Sequence, residues 1–351
     1  MPRFIDHPHR FLSVIAILLI LAAPILYLTN HADQGIPTTG AAPTLAAPSA
    51  QLSHALYLPS IRSGLAPAKP TVTPPTALTA TPPAPATPAT ALYFAGDNAW
   101  SGVGSKSVSD ALLKDDQGPI QLGGDTVWDQ ASASQYAAYW TPTYGRISKQ
   151  RFHPAYGNHD SNTPSQYASY WGTQAGKNGN FWYSYDVNAQ WHVVVLNSLT
   201  NTSASSPQVA WLKQDLAANQ GSGKCLIGVY HEPRYSSGEH GNNTSQQTLW
   251  ATLANAGAAV VLNGHDHDYE RFNPMDASGQ PASTGIREFV VGTGGIPEYN
   301  TNNHGPQQAK FIMNEFGYLK LSLGDKTYSW EFIPTSGGTA KDAGSGSCTP
   351  M

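Results

Sequence analysis

An α/β fold with two packed sheets is predicted for the chain beyond residue 90. Three observations predict it. Short apolar runs, each ending in a polar motif, recur along that part of the chain. Segments with helical spacing of apolar residues separate several of them, and two alternating segments joined by a turn signal come near the end. Runs of this length bounded by glycine or proline suit buried strands, whereas alternation marks strands with two unlike faces.

The runs are Ala91-Leu-Tyr-Phe-Ala95, Ile120-Gln-Leu122, Phe152-His-Pro-Ala-Tyr156, Leu226-Ile-Gly-Val-Tyr230 and Ala258-Ala-Val-Val-Leu-Asn263. Ser206–Ala218 is predicted helical, because Ser then Pro opens it and Val209, Leu212 and Leu216 share one side. Gln246–Ala256 is a second helix, with Leu249, Leu253 and Ala256 at helical spacing. Gly317–Leu323 and Thr327–Ile333 alternate as strands, and Gly324-Asp325-Lys326 marks a hairpin turn between them. No internal repeat is evident.

Residues 1–90 lie outside this domain. Phe11–Leu28 is an uncharged apolar stretch of 18 residues, interrupted by Ser13 and Pro24. As a helix it would reach about 27 Å, close to the hydrocarbon thickness of a bilayer. Arg3 and Arg10 precede it and no Lys or Arg follows before Arg62. That bias leaves the N-terminus in the cytoplasm and exports the rest. Residues 1–32 are read as a signal anchor or signal peptide; the length favours the uncleaved anchor, and Ala32 offers a cleavage point for the alternative.

Asp33–Thr90 carries 12 of the chain's 27 prolines and only three charges, Asp33, Arg62 and Lys69. Proline, alanine and threonine at this density cannot bury a core, so residues 33–90 are read as a disordered linker or stalk. Leu56–Ile61 within it is read as an incidental apolar cluster, with a short interaction site as the alternative. The domain at 91–351 is large enough for a deep core. Cys225 and Cys348 are the only cysteines; an exported protein can join them, but sequence leaves the pairing open. A net charge of −4 with no basic run gives no nucleic-acid footprint.

The polar motifs carry the chemistry. They are Gly96-Asp97, Gly124-Asp125, Gly157-Asn158-His159-Asp160, His231-Glu232 and Gly264-His265-Asp266-His267. Sites in open α/β sheets form beyond the carboxyl ends of strands, so these residues are expected to converge on one edge. Asp97, Asp125, Asn158, His231, His265 and His267 then offer mixed oxygen and nitrogen ligands, more than one tetrahedral ion needs. One bridging Asp between two ions uses all six. Such a pair of ions can clamp the attacking and leaving oxygens of an in-line phosphoryl displacement.

The ordered set resembles the calcineurin-like metallophosphoesterases, and within them the purple-acid-phosphatase-like bacterial branch. Supporting stretches are Tyr139–Arg146, Trp191–Ser198, Gly264–Phe272 and Ile286–Gly295, and the resemblance covers roughly Ala91 to Cys348. It implies a four-layer α/β/β/α sandwich of the metallophosphoesterase type. It implies two divalent or trivalent ions, iron, zinc or manganese, with Asp125 as bridge. Asp97 and His267 would hold the first ion; Asn158, His231 and His265 would hold the second. Asn158, His159 and His240 would face substrate, with His159 close to the phosphate and His240 as proton donor to the leaving group.

Two departures from the family pattern stand out. Ala99 replaces a histidine found in many members, and Trp128 replaces the metal-binding tyrosine of purple acid phosphatases. No tyrosinate-to-iron colour is therefore expected, and water, Asn98 or a loop side chain is left to complete the first ion's shell. Asp129 and Asp160 are both candidates to orient His159. His153, His192 and His304 are read as structural or uninvolved, His304 keeping the alternative of a replacement ligand.

The resemblance implies an exported phosphoric ester hydrolase that uses a metal-held hydroxide, foremost a phosphomonoesterase acting on a small phosphate ester. The alternatives are a phosphodiesterase of nucleotides or lipid-derived phosphates and a degenerate, non-catalytic phosphate-binding surface module. Contact with a membrane is expected through the N-terminal segment if it stays uncleaved.

Overall fold

Alternation along the strands decides which side of each sheet is buried, and against what. The computed structural model describes residues 89–351 apart from 116–117, 300–303, 338 and 340. The expected anchor or signal at 1–32, the Leu56–Ile61 cluster and nearly all of the linker at 33–90 lie outside the described residues. Among the described residues no helix is long and apolar enough to cross a membrane.

Six strands build the first sheet: β1 (Thr90–Ala95), β2 (Ile120–Leu122), β3 (Phe152–Pro154), β11 (Gly317–Leu323), β12 (Thr327–Pro334) and β13 (Asp342–Ser347). Their order is β13-β12-β11-β1-β2-β3, with β1, β2 and β3 parallel. Seven build the second: β4 (Tyr183–Asn188), β5 (Trp191–Val195), β6 (Cys225–Val229), β7 (Val260–Asn263), β8 (Tyr269–Phe272), β9 (Arg287–Val291) and β10 (Gln308–Ile312). Here the order is β10-β8-β9-β7-β6-β5-β4, with β5, β6, β7 and β9 parallel.

Side chains alternate across each strand, so one sequence run serves two cores. Leu92 and Phe94 of β1 join Val193, Val195, Ile227, Val229, Leu319 and Phe332 in the core between the sheets. Tyr93 and Ala95 point the other way, to a core shared with Val108, Leu112, Trp140 and Trp171. These come from helix Val103–Lys114, a π-helical turn at Tyr136–Trp140 and helix Pro164–Trp171. On the far side of the second sheet, Val194, Leu226 and Val261 meet Val209, Leu212, Leu216, Leu249 and Leu253. The last five belong to helices Pro207–Asn219 and Gln247–Asn255. The layers are therefore α/β/β/α, as the resemblance implies.

Both helices expected from periodicity form within one residue of their predicted bounds. Ser206 caps the first by accepting the Val209 N–H. The predicted C-terminal hairpin is the β11–β12 pair. Cys225 and Cys348 are joined as a disulfide with a Cα–Cα distance of 5.7 Å.

Candidate metal centre

Every polar motif sits just beyond the carboxyl end of a parallel strand. Asp97 follows β1, Asp125 follows β2, Asn158 and His159 follow β3, His231 follows β6, and His265 and His267 follow β7. Main-chain bonds stitch the two sheets together here: Gly96 N–H donates to Val291 O (2.9 Å) and Gly294 N–H to Gly96 O (3.0 Å). Asp97, Asp125 and His265 turn away from their strands with positive φ, 59°, 50° and 76°. Non-glycine residues adopt this conformation rarely and at some energetic cost, and such positions cluster at functional sites.

Asp97 and Asp125 each spend one oxygen on the main chain and aim the other at a histidine. Asp97 Oδ2 accepts the His265 N–H at 2.8 Å, and Asp97 Oδ1 lies 3.4 Å from His267 Nε2. Asp125 Oδ1 accepts the His159 N–H at 2.8 Å, and Asp125 Oδ2 lies 3.4 Å from His231 Nε2. The histidines are oriented from behind: His231 Nδ1 donates to Gly123 O (2.8 Å) and His267 Nδ1 to Pro297 O (2.9 Å). A hydrogen bond at Nδ1 turns Nε2 inward, the usual support of a metal-binding imidazole. Asn158 Oδ1 stands 2.9 Å from His231 Nε2.

This donor set fits metal. One ligand atom each from Asp97, Asp125 and His231 lie within 4.8 Å of one another, and all three residues are buried. Asp97 Oδ1 is buried without a hydrogen-bond partner among the described residues. Leaving a carboxylate oxygen desolvated and unpaired is costly unless a cation or donor meets it. His265 joins through its ring, 5.0 Å from that of His231.

Electrostatics couple the groups. Burial opposes charge on Asp125 and on His231, yet their mutual attraction outweighs it, lowering Asp125 and raising His231. Burial, then the nearby His231 and His240, push His265 down and keep it neutral. Burial opposes a charge on His267 too, but Asp97 raises it.

His159 is only partly buried, and its ring lies 3.8 Å from Asp125 Oδ2 through Nε2. Of the two candidates for orienting it, Asp129 does so, through its main-chain oxygen, which accepts from His159 Nδ1 at 2.5 Å. Asp160 instead braces the loop, accepting from Thr126 Oγ1 (2.7 Å) and Gly157 N–H (3.1 Å). His240 reaches the centre from a loop after β6, its ring 4.0 Å from that of His265. Its Nδ1 donates to Asp266 at 2.9 Å, which raises the His240 pKa.

Both departures occupy apolar surroundings. Ala99 is fully buried at a bridge to Val127, and Trp128 packs against His159 and Trp100 with ring centroids 4.9 and 4.8 Å apart. Asn98 Nδ2 donates to Ala95 O, and its Oδ1 is buried without a partner among the described residues. Tyr299, which no motif singles out, stacks on His267 at 4.2 Å. Asp266, to which the motif gives no role in sequence, holds His240 through Nδ1. His192 and His153 are structural: the first is clamped between Asp186 (2.7 Å) and Asp215 (2.8 Å), the second stacks on Tyr185 at 3.8 Å. His304 is exposed and bonds to Gln308 (2.7 Å).

Comparison with known proteins bears on the family and the fold. The sequence model of the calcineurin-like phosphoesterase family matches residues 86–269, more than half of the chain. Purple acid phosphatase 22 of Arabidopsis thaliana is 29% identical over 168 residues, covering 46% of this chain and 38% of that protein. Probable purple acid phosphatase 20 of the same plant is 26% identical over 265 residues, covering 68% and 59%. The chain thus spans less than two thirds of the length of these relatives. Purple acid phosphatase PPD1 from yellow lupin (Lupinus luteus) seeds shares the fold, with a TM-score of 0.60 at 18% identity over 74% of this chain and 53% of that one. The chain belongs to the calcineurin-like phosphoesterase family.

Proposed function

We propose that the protein is an exported, metal-dependent phosphomonoesterase with a binuclear centre. The observation that carries this reading is the buried convergence of Asp97, Asp125 and His231, with Asp97 Oδ1 lacking a hydrogen-bond partner among the described residues and lying 3.4 Å from His267 Nε2. Asp125 would bridge the ions, Asp97 and His267 would hold the first, and Asn158, His231 and His265 the second. Bound iron, zinc or manganese supplies Lewis acidity and makes hydroxide available near neutral pH.

The chain's own residues do the rest. His159 keeps its Nδ1 proton on Asp129 O, so its ring is held beside the centre to meet a phosphate oxygen. Asn158 completes that side. His240 keeps its Nδ1 proton on Asp266, and in the imidazolium form it would give its second proton, on Nε2, to the leaving oxygen and return to the neutral Nδ1–H ring. The partner proposed for this site is a small phosphate ester. Export agrees with the N-terminal charge bias and with the disulfide, since such bonds persist in oxidising compartments. The same reading keeps residues 1–32 as anchor or signal and 33–90 as linker.

Metal content by mass spectrometry on the full chain, with p-nitrophenyl phosphate hydrolysis on the same sample, tests the proposal. Two ions per chain with turnover are expected. One ion or none, with no turnover after addition of iron, zinc or manganese, would sink it. A preference for bis(p-nitrophenyl) phosphate over the monoester would move the assignment to a phosphodiesterase. Asp125→Asn is expected to reduce turnover to background and to lower metal content; near-normal values of both would contradict the bridge.

A further inference from the structure

Three buried carboxylates grip one loop from below. Residues 234–241 carry His240 and make most of their polar contacts to acidic side chains of neighbouring elements. Glu288 of β9 accepts the N–H groups of Arg234 (3.2 Å) and Tyr235 (3.4 Å). Glu270 of β8 accepts Ser237 N–H (2.9 Å) and Gly238 N–H (3.2 Å), and its Oε1 lies 2.7 Å from Ser236 Oγ. Asp266 accepts both the main-chain N–H and the Nδ1–H of His240 at 2.9 Å, and also the Ser236 hydroxyl. All three carboxylates have zero exposed surface. Burying an acid is costly unless its oxygens are satisfied; the loop meets both oxygens of Asp266 and of Glu270, while Glu288 Oε2 has no hydrogen-bond partner among the described residues.

Both Asp266 oxygens are engaged by this loop: Oδ1 by His240 and Oδ2 by Ser236. Its neighbours His265 and His267 turn to the metal centre while Asp266 turns away from it, so it is not a ligand. The fit is close: a Cβ added to Gly238 would lie 2.5 Å from Asp266 Cγ. An ionised carboxylate can only accept, so the bond puts the proton of the neutral ring on Nδ1. Nε2 then makes no hydrogen bond among the described residues, and the ring lies 4.0 Å from His265 and 5.3 Å from Tyr299.

We propose that Asp266 is a positioning residue that holds His240 by its Nδ1–H in one orientation, so that the imidazolium gives its Nε2 proton to the leaving oxygen of the ester and the neutral Nδ1–H ring remains. Ser236 and Glu270 form the layer that fixes Asp266. The inference rests on the assignment of His240 as proton donor. An acid holding a catalytic imidazole by Nδ1 is a recurrent device, because the wrong tautomer is unproductive even when the ring stays in place.

The test uses the full metal-loaded chain and the variants Asp266→Asn, His240→Ala and the double variant. Long-range ¹⁵N–¹H spectra read the His240 ring, identified by its loss in His240→Ala. The wild type is expected to show a single Nδ1–H tautomer, and Asp266→Asn a mixture. Turnover of β-glycerophosphate, a poor leaving group, should fall about 10–100-fold further than that of p-nitrophenyl phosphate in Asp266→Asn. In the His240→Ala background the same change should add less than about twofold, because coupled residues are not additive. Ser236→Ala should move every readout the same way by less, which covers loss of metal or of folding in Asp266→Asn. Unaltered His240 signals in these variants, or a full additional loss in the double variant, overturn the role of Asp266. Equal slowing of both esters by His240→Ala overturns the underlying assignment of His240 instead.

Discussion

At the scale of single residues, the ligand motifs owe their form to crowding. A Cβ added to Gly157 would lie 2.1 Å from Asp125 Oδ1 and 2.2 Å from its main-chain nitrogen. The glycine ahead of Asn158 therefore lets the third strand's loop approach the second strand's carboxylate. Gly157→Ala is expected to push Asp125 aside. A misplacement of about 1 Å near reacting groups can cost about 10²-fold in rate. The variant should lose metal and slow by about that factor while keeping its far-UV circular dichroism; unchanged metal content and turnover would show that the loop can yield. The motif residues were legible in sequence because only a few residue types bind metal. The partners that orient them, Gly123 O, Pro297 O and Asp129 O, were not, since a main-chain oxygen has no residue signature.

At the scale of elements, strand β5 and helix Pro207–Asn219 are joined by a charged cluster at their exposed margin. His192 sits between Asp186 of β4 and Asp215 of that helix, nearly buried. Burial alone would lower the His192 pKa, but hydrogen bonds to Asp215 and Asp186 outweigh it and raise the value above the ordinary 6.5. A raised folded-state value means stabilisation that is complete below about pH 6.5 and lost as pH rises through the folded pKa. His192→Gln is expected to cost about 1.5–3 kcal/mol at pH 6, the range for hydrogen bonds to charged groups. That deficit should shrink toward pH 9, as read from urea unfolding midpoints of both proteins across the range. A deficit constant with pH would show that the imidazole acts by packing alone. The two helices with clear apolar spacing were legible, whereas Val103–Lys114 was not singled out. Its serines and lysines give little periodic signal, and the outer side of the first sheet provides the burial that makes it a helix.

At the scale of the molecule, the disulfide ties the C-terminal tail to the second sheet. Cys225 begins β6 and Cys348 follows β13 of the first sheet, 123 residues later. Met351 continues the attachment, its N–H donating to Lys224 O at 2.8 Å and its oxygen accepting from Gly223 N–H at 3.3 Å. Closing so long a loop restricts the unfolded chain, and removing such a bond typically costs about 2–5 kcal/mol. Cys225→Ala/Cys348→Ala should lower the unfolding midpoint accordingly without changing metal content in the folded range. An unchanged midpoint would show that main-chain bonds at Met351 suffice.

What the amino-acid sequence determined by itself was local or compositional: the ordered motifs, the strand alternation that assigns each face, and the helix starts. These depend on neighbours a few residues apart. Tertiary structure alone decided the cysteine pairing, the role of Asp129 over Asp160, the grip of Asp266 on His240 and the stacking of Tyr299 on His267. Each joins groups between about 26 and 123 residues apart. Contacts across such distances exist only once the two sheets have packed, because packing supplies the burial that makes an unpaired polar atom costly and so selects its partner.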